Sequence, residues 1–351
     1  MKLHFMTVKR RFGRFSGVRQ GCLALGLALA ACQSAPNSGN NQKAESVAEF
    51  DFHQAMAQVS GAELPNGGLG WVTVTVPVKS QGRLAGDLEI EGKFVENSPT
   101  GAQKNQSEED GKPEQVKLVF FEANRVDEKS SGARVFHAFL PIPYLCPIGP
   151  ARVLMTLKNH QEVKELEASV QVVRGKYSSE KLRVDPRRVH PPKQDLVRIA
   201  GEVKEIGAVY RTLQKKKFWQ GPLELPIRSE VTSAFGTRRV YNGSLQNFHT
   251  GLDLRAPVGT PIHAAAPGRV ALAKDLFFTG NTVIVDHGYG LMTLYAHMNE
   301  IKVKKGDLVD PQQLLGLSGK TGRVNGPHLH WMAIVNGIKV NPVSLTQNQV
   351  P

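Results

Sequence analysis

The sequence predicts a mostly β protein, with an antiparallel sandwich, one connecting helix and a further domain in the C-terminal third. Short apolar runs alternate with polar residues between positions 71 and 173, and a segment with helical spacing of apolar residues follows them. The composition, with 40% hydrophobic and 21% charged residues, is that of an ordinary folded protein. A chain of 351 residues is long enough for two domains, because single domains usually have roughly 100–200 residues.

A basic segment and a short apolar run open the chain. The run 23–31 is shorter than the roughly 20 residues that a membrane span needs, and six basic residues precede it. It ends in Leu29-Ala30-Ala31-Cys32, which resembles the bacterial lipobox, whose cysteine becomes the lipid-modified first residue. We therefore expect a lipoprotein signal peptide over 1–31 and a lipid on Cys32. An ordinary cleaved signal and an uncleaved anchor are the alternatives.

The residues after Cys32 predict how the mature chain is held. Residues 32–50 are rich in Ser, Asn, Gln and Ala and poor in apolar residues, so we expect a flexible tether. Gln33, rather than aspartate, follows the cysteine. By the sorting rule of bacterial lipoproteins, this predicts an outer-membrane lipoprotein that faces the periplasm, if the source has two membranes.

The chain is basic, with a formal net charge of +13 at pH 7. The expected signal peptide carries six of the positive charges and no acidic residue, which leaves about +7 for the mature chain. This balance suits weak attraction to anionic envelope polymers, but general solubility is the better explanation. Basic residues do not cluster with aromatic ones, so nucleic-acid binding is not expected. Of the remaining cysteines, Cys22 lies in the signal and Cys146 is expected to be a buried, unreactive thiol.

Six short segments of β-branched and aromatic residues predict strands within the range 51–185. They cover 72–78, 88–90, 116–121, 135–139, 153–157 and 168–173. Their shortness, their alternation and the turn residues between them indicate an antiparallel sandwich. The arrangement loosely resembles immunoglobulin-like domains.

A linker with an amphipathic helix is expected over 186–219. Apolar residues recur at helical spacing over 195–217, and they are Leu196, Ile199, Ala200, Val203, Ile206, Tyr210 and Leu213. We expect this helix to pack between the two domains. A coiled coil that binds a partner is the weaker alternative, because the pattern spans only about three heptads.

Four histidines and one aspartate stand in three short motifs of the C-terminal third. The motifs are Phe248-His249-Thr250-Gly251-Leu252-Asp253, Tyr295-Ala296-His297-Met298 and Gly326-Pro327-His328-Leu329-His330-Trp331. The last two histidines alternate along one expected strand, so both side chains project from the same face. Catalytic zinc takes three protein ligands from imidazole and carboxylate groups and leaves a fourth position for water. Two further histidines would then act on the water and on the developing oxyanion, but the composition alone does not assign these roles.

The pattern His249-x-x-x-Asp253, His297 and His328-x-His330 resembles the signature of the lysostaphin/LytM-like zinc metallopeptidases. The likeness extends over 224–350, through segments such as Ser233-Ala234-Phe235-Gly236 and Gly319-Lys320-Thr321-Gly322. Small departures are Pro311, where the family often has glycine, and Met332, where it often has glutamate. The resemblance implies a strand-rich peptidase domain with the duplicated hybrid motif fold over 220–351 and Zn²⁺ as the cofactor. It also implies that His249, Asp253 and His330 bind the metal and that His297 and His328 are the catalytic pair.

The resemblance further implies an endopeptidase that hydrolyses peptide cross-links of bacterial peptidoglycan. The main alternative is a catalytically silent regulator that activates a cell-wall amidase, because the family includes envelope lipoproteins that have lost the metal ligands. A secreted enzyme that attacks foreign walls or proteins is the third. The expected partners are peptidoglycan peptides, a membrane through the lipid on Cys32, and other cell-wall enzymes. His263 and His287 fall outside the signature, so we expect structural roles for them.

Overall fold

The computed structural model of the protein describes residues 50–61, 63–78, 88–96, 115–123, 132–183, 187, 190–243 and 245–347. These residues belong to one unit, Glu45–Pro351. The expected signal peptide, Cys32 and nearly all of the expected tether lie outside the described residues. The predicted fold class is confirmed, because strands account for most of the regular structure.

Among the described residues, the N-terminal half folds into a four-stranded and a five-stranded sheet. In chain order the strands are β1 (Met56–Val59), β2 (Glu63–Pro65), β3 (Leu69–Pro77), β4 (Glu89–Glu96), β5 (Gln115–Leu118), β6 (Phe120–Glu122), β7 (Ala133–Pro141), β8 (Gly149–Lys158) and β9 (Val163–Val173). The spatial orders are β1-β3-β7-β6 and β2-β9-β8-β4-β5. Neighbouring strands are antiparallel except β2 and β9, which are parallel.

The two sheets bury a common apolar core. Val72, Val74 and Val76 alternate along β3 and are buried, and they share one cluster with Val153 and Met155 of β8. Side chains from both sheets in one cluster define a β-sandwich. All six segments predicted as strands overlap its strands. The likeness to immunoglobulin domains stays a prediction.

The C-terminal half is built around a sheet of ten strands, counted over the described residues. The strands from here to the C-terminus are β10 (Ser179–Leu182), β11 (Val231–Ser233), β12 (Arg238–Tyr241), β13 (Leu245–Phe248), β14 (Leu252–Arg255), β15 (Pro261–His263), β16 (Gly268–Leu276), β17 (Gly280–Gly288), β18 (Leu291–Ile301), β19 (Leu308–Val309), β20 (Leu314–Ser318), β21 (His328–Val335) and β22 (Ile338–Val340). The main order is β11-β14-β21-β18-β17-β16-β19, while β15, β20 and β22 pair beside it. The helices are α1 (Lys193–Tyr210) and the short α2 (Val343–Gln347), and Phe52–Gln54 forms one 3₁₀ turn.

Helix α1 ends at Tyr210, whereas the apolar spacing predicted a helix to residue 217. The chain beyond it is extended because its backbone pairs with the end of β17. The Tyr289 amide donates to the Gln214 carbonyl at 2.8 Å, and the Phe218 amide donates to the His287 carbonyl at 3.1 Å. These tertiary hydrogen bonds override the local helical pattern.

The expectation that α1 packs between the two domains is wrong. Buried Val209 belongs to a cluster with Leu272 and Ile284 of the C-terminal sheet, while Leu196 and Val203 of the predicted apolar face are exposed. The helix therefore lies on the outer face of the C-terminal sheet. Neither α1 nor any other helix in the described part of the chain is long and apolar enough to cross a membrane.

Strand β10 pairs with the C-terminal half and not with the sandwich. It lies parallel to β12, with Glu180 opposite Arg239, and β12 continues into a hairpin with β13. The sequence placed these residues in the sandwich range 51–185, and this pairing corrects the end of that range. Local alternation could not reveal a parallel partner that lies 59 residues further along the chain.

The two halves share one apolar core through Trp219. Its side chain is buried, and its ring lies 5.5 Å from the ring centroids of both Phe121 and Phe139, which belong to the sandwich. The same cluster includes Leu252 and Trp331 of the C-terminal sheet. Because the cluster is continuous across the halves, we expect them to unfold together.

Candidate metal centre

Three neighbouring strands of the C-terminal sheet assemble the predicted site. In the register of β14 and β21, Asp253 lies opposite His330. His330 in turn lies opposite Ala296 of β18, the residue before His297. His328 is two residues before His330 on the same face of β21.

His249 reaches the site from the turn that precedes β14, and Gly251 makes this approach possible. A Cβ at residue 251 would lie 2.5 Å from the Trp331 carbonyl oxygen and 2.8 Å from Cε1 of His330. Any larger residue would push the turn that carries His249 away from β21. The structure therefore brings together all five residues that the sequence singled out.

Three ligand atoms converge in the centre of the site. His249 Nε2 lies 2.9 Å from His330 Nδ1 and 3.0 Å from Asp253 Oδ1, and the last two atoms are 2.8 Å apart. The three residues are 2%, 7% and 5% exposed, respectively. Among the His, Asp, Glu and Cys side chains of the described residues, these three form the group that could hold a metal ion.

Zinc suits this donor set. His249 donates its Nδ1–H to the Ala234 carbonyl at 2.9 Å, so the lone pair of Nε2 faces the site. Lone pairs of two imidazoles and a carboxylate that meet at one point repel each other unless a cation lies between them. Tetrahedral zinc places its ligand atoms about 3.3 Å apart, which requires only a small outward movement of these side chains.

The protonation states also favour a cation. Burial lowers the pKa of His330 to about 4, so this imidazole is neutral at pH 7. Burial would raise the pKa of Asp253, but the adjacent His249 and His330 side chains outweigh it and hold the pKa of this carboxyl well below its usual range. Neutral imidazoles and an ionised carboxylate are the forms that bind metals.

His297 and His328 face each other beside the three ligand atoms, with their ring centroids 4.9 Å apart. Each donates its Nδ1–H to a backbone carbonyl, His297 to Thr321 at 2.8 Å and His328 to Gly326 at 2.9 Å. Nε2 of each ring is therefore available to exchange a proton in the cleft. Burial and the nearby His328 and His330 lower the pKa of His297 well below its ordinary value, which keeps it neutral.

The backbone at His297 adopts a conformation that is unfavourable for a residue with a side chain. Its φ of 61° lies in the left-handed region, which costs an ordinary residue roughly 1–2 kcal/mol. A hydrogen bond from its amide to the Thr279 carbonyl, at 2.8 Å, stabilises this conformation. Local strain of this kind is frequent at functional sites.

The site opens into a cleft of about 140 Å³. Besides Asp253, His297 and His328, its lining residues are Glu180, Leu182, Thr232, Ser233, Arg239, Tyr241, Arg323, Val324 and Asn325. The sequence did not identify Glu180, Arg239, Tyr241 or Arg323 as site residues. Arg239 lies three residues after the segment Ser233-Ala234-Phe235-Gly236, and this closeness is the one signal that could have drawn attention to it.

The histidines outside the signature differ from these five. His287 is fully buried, and its ring nitrogens lie 2.6 Å from the Pro267 carbonyl oxygen and 2.8 Å from Thr293 Oγ1. Burial lowers the pKa of His287 to about 4, so it is a neutral core residue. His263 is at the end of β15, and Cys146 is buried in the sandwich.

Comparisons with known proteins define the class of this domain. Residues 247–342 match the model of peptidase family M23. The chain is 42% identical over 128 residues to the peptidoglycan DD-endopeptidase ShyA of Vibrio cholerae, which is 36% of this chain and 29% of that protein. It is 38% identical over 135 residues to the DD-carboxypeptidase/endopeptidase Mpg of Neisseria gonorrhoeae, which is 38% of this chain and 31% of that protein. The chain thus spans less than a third of the length of these curated relatives.

A solved structure is similar over most of the chain. The crystal structure of a putative peptidase M23 from Pseudomonas aeruginosa has a TM-score of 0.54 and 26% sequence identity, and the match covers 82% of this chain and 96% of that one. The match therefore includes residues from both halves of this chain. Residues 247–342 form a peptidase family M23 domain, in agreement with the lysostaphin/LytM-like resemblance of the sequence.

Proposed function

We propose that the protein is a zinc-dependent endopeptidase that hydrolyses peptide cross-links of bacterial peptidoglycan. The observation that carries the proposal is the convergence of His249, Asp253 and His330, with His297 and His328 beside them. The names of the two curated relatives favour a D,D bond of the stem peptides as the target. The basic charge of the chain suits an anionic polymer.

The residues of the site divide the chemistry between them. His249, Asp253 and His330 would hold zinc, which would supply the Lewis acidity that lowers the pKa of water and polarises a carbonyl group. His297 is neutral, and its Nε2 can accept a proton from the attacking water. Nε2 of His328 lies 3.6 Å from Asp253 Oδ1. Because Nδ1–H already donates to Gly326, His328 can donate from Nε2 to the carbonyl oxygen that gains negative charge when the ring carries a second proton.

The complete set of five side chains favours an enzyme over the amidase-activating regulator. A regulator needs the fold and a surface for its partner, and nothing in that role selects for three convergent ligand atoms and two flanking imidazoles. Proteolysis of foreign walls uses the same site, so the two enzyme roles differ in where the protein is found.

The His328→Ala protein is expected to keep zinc and lose hydrolysis. Removing one donor to a developing oxyanion costs roughly 10²–10³ in rate, so cleavage of isolated wall should fall at least about 100-fold. Metal content by mass spectrometry should stay at about one zinc per chain, since His328 is not one of the three ligands. A His160→Ala protein, changed at an exposed turn of the sandwich, is the matched control. Unchanged cleavage by His328→Ala would remove His328 from the mechanism.

We also propose that the protein is held on the periplasmic face of the outer membrane by a lipid on Cys32. The proposal rests on the lipobox-like sequence and on Gln33 after it. In membrane fractionation of the native host, wild-type protein should be found with the outer membrane, and Cys32→Ser protein should not be retained there. Recovery of both proteins in the inner membrane would refute the proposal.

A further inference from the structure

The metal ligand Asp253 uses its two carboxylate oxygens for different purposes. Oδ1 faces His249 and His330 at 3.0 and 2.8 Å. Oδ2 accepts a hydrogen bond from a terminal nitrogen of Arg239 at 2.5 Å. Because a bond to each oxygen fixes the plane of the carboxylate, Arg239 determines the direction in which Oδ1 points.

Arg239 is itself held by Glu180. The Nε of Arg239 donates to Glu180 Oε1 at 2.5 Å, and Ser233 Oγ donates to the same oxygen at 3.1 Å. The terminal nitrogen of Arg239 that contacts Asp253 also donates to Ser233 Oγ, at 2.9 Å. The side chains of Arg239 and Glu180 are only 12% and 27% exposed, so solvent screens their charges weakly.

Glu180 precedes helix α1 and the residues that match the M23 family model. Strand β10 places it directly opposite Arg239 in a parallel pairing with β12, and Glu180 and Leu182 both line the cleft. The connection is sequence-distant, since 59 residues separate Glu180 from Arg239. One strand that precedes the M23 domain thus completes the surroundings of its metal ligands.

The charges of this group matter as much as its geometry. A guanidinium beside a metal-binding carboxylate takes up part of the negative charge that would otherwise attract the cation. Glu180, on the other side of the guanidinium, restores that negative charge to the site. Without Glu180, the positive charge of Arg239 would be balanced only by Asp253, the residue that must also attract the cation.

We propose that Arg239 is a positioning residue for Asp253 and that Glu180, supplied by the strand β10, tunes zinc affinity by balancing the charge of Arg239. This inference rests on the proposed zinc site. Neither Glu180 nor Arg239 is among residues 247–342, which match the M23 family model. The inference therefore adds to the zinc site two outer groups, meaning residues that act on a metal ligand without touching the metal. Outer groups of this kind typically change metal affinity 10- to 100-fold.

The test is the zinc affinity of the full chain, measured at pH 7.5 by competition with a chromophoric chelator. Glu180→Gln keeps the shape of the side chain and removes its charge, so we expect zinc binding about 10-fold weaker or more. Arg239→Lys keeps the charge but replaces the planar fork, whose separate nitrogens contact Glu180 and Asp253, with one ammonium nitrogen. We expect it to bind zinc several-fold more weakly than wild type, close to the lower end of the roughly 10- to 100-fold range given above.

The double variant Glu180→Gln/Arg239→Met separates electrostatics from general damage. It removes both charges, so it should bind zinc more tightly than Glu180→Gln alone, although less tightly than wild type. Damage to the fold would make the double variant weaker than either single one. Arg255→Met is the matched control, because Arg255 is on β14 near Asp253 and forms an exposed pair with Glu230 at 2.8 Å. It should stay within about twofold of wild type.

The outcomes separate this inference from the proposed function. Wild-type affinity in either Glu180→Gln or Arg239→Lys overturns the inference, as does a double variant weaker than Glu180→Gln. Metal-free melting curves show whether each variant is folded, and if Glu180→Gln does not fold, Arg239→Lys carries the test. Wild-type protein that binds no zinc contradicts the proposed function and the inference with it. Zinc binding that is normal in wild type and unchanged in all variants refutes only the inference.

Discussion

Replacing His330 with alanine is expected to remove zinc from the protein and to abolish cell-wall hydrolysis. His330 supplies one of three convergent ligand atoms, and Asp253 and His249 alone cannot complete a catalytic zinc site. We expect zinc affinity to fall more than about 100-fold, beyond the range that outer groups produce. Zinc content after gel filtration and release of wall fragments are the two measurements.

The His160→Ala protein serves again as the control, because it carries the same substitution at an exposed position. It should keep about one zinc per chain and full hydrolysis. Metal-free wild type and metal-free His330→Ala should melt at similar temperatures, which would exclude unfolding as the cause. Hydrolysis by His330→Ala at the wild-type rate would mean that the cluster is not the active site.

Replacing Trp219 with alanine is expected to give the largest loss of stability. The side chain is 1% exposed and lies against Phe121 and Phe139 of the sandwich as well as Leu223 of the C-terminal half. Its removal leaves a cavity in a core that both halves share, which typically costs about 3–5 kcal/mol in the free energy of unfolding. Urea unfolding followed by circular dichroism measures the change.

The form of the unfolding curve carries further information. Because one cluster joins the halves, wild type should unfold in a single transition, and Trp219→Ala should shift that whole transition. Val197→Ala, at a position on α1 that is 82% exposed, should change the unfolding free energy by less than about 0.5 kcal/mol. Two separate wild-type transitions, with only one moved by Trp219→Ala, would show that the halves are independent.

Local patterns predicted the parts of the fold that local forces determine. Alternation of apolar residues located β3 and β8, because a strand with one buried face must alternate. The spacing of His328 and His330 placed both on one face of a strand, and Asp253 lies opposite His330. The five site residues could be named because their side chains carry the chemistry, and few other residue types bind metal.

Tertiary pairing determined what the sequence did not reveal. Strand β10 is short and half-exposed, and its parallel partner follows only after α1 and β11. Helix α1 ends before residue 217 because the chain beyond it forms tertiary hydrogen bonds. The Tyr289 amide donates to the Gln214 carbonyl, and the Phe218 amide donates to the His287 carbonyl. Glu180 and Arg239 meet across this non-local pairing, so their contact with the site could be found only from the structure.

Hydrolysis of isolated peptidoglycan by the purified protein, with and without a zinc chelator, tests the central claim most directly. Mass spectrometry of the released fragments identifies the bond that is cut. We predict loss of D,D cross-linked peptides, complete inhibition by the chelator and recovery when zinc is returned. Intact cross-links in the presence of zinc-loaded protein, or cleavage that the chelator leaves unchanged, would contradict the claim.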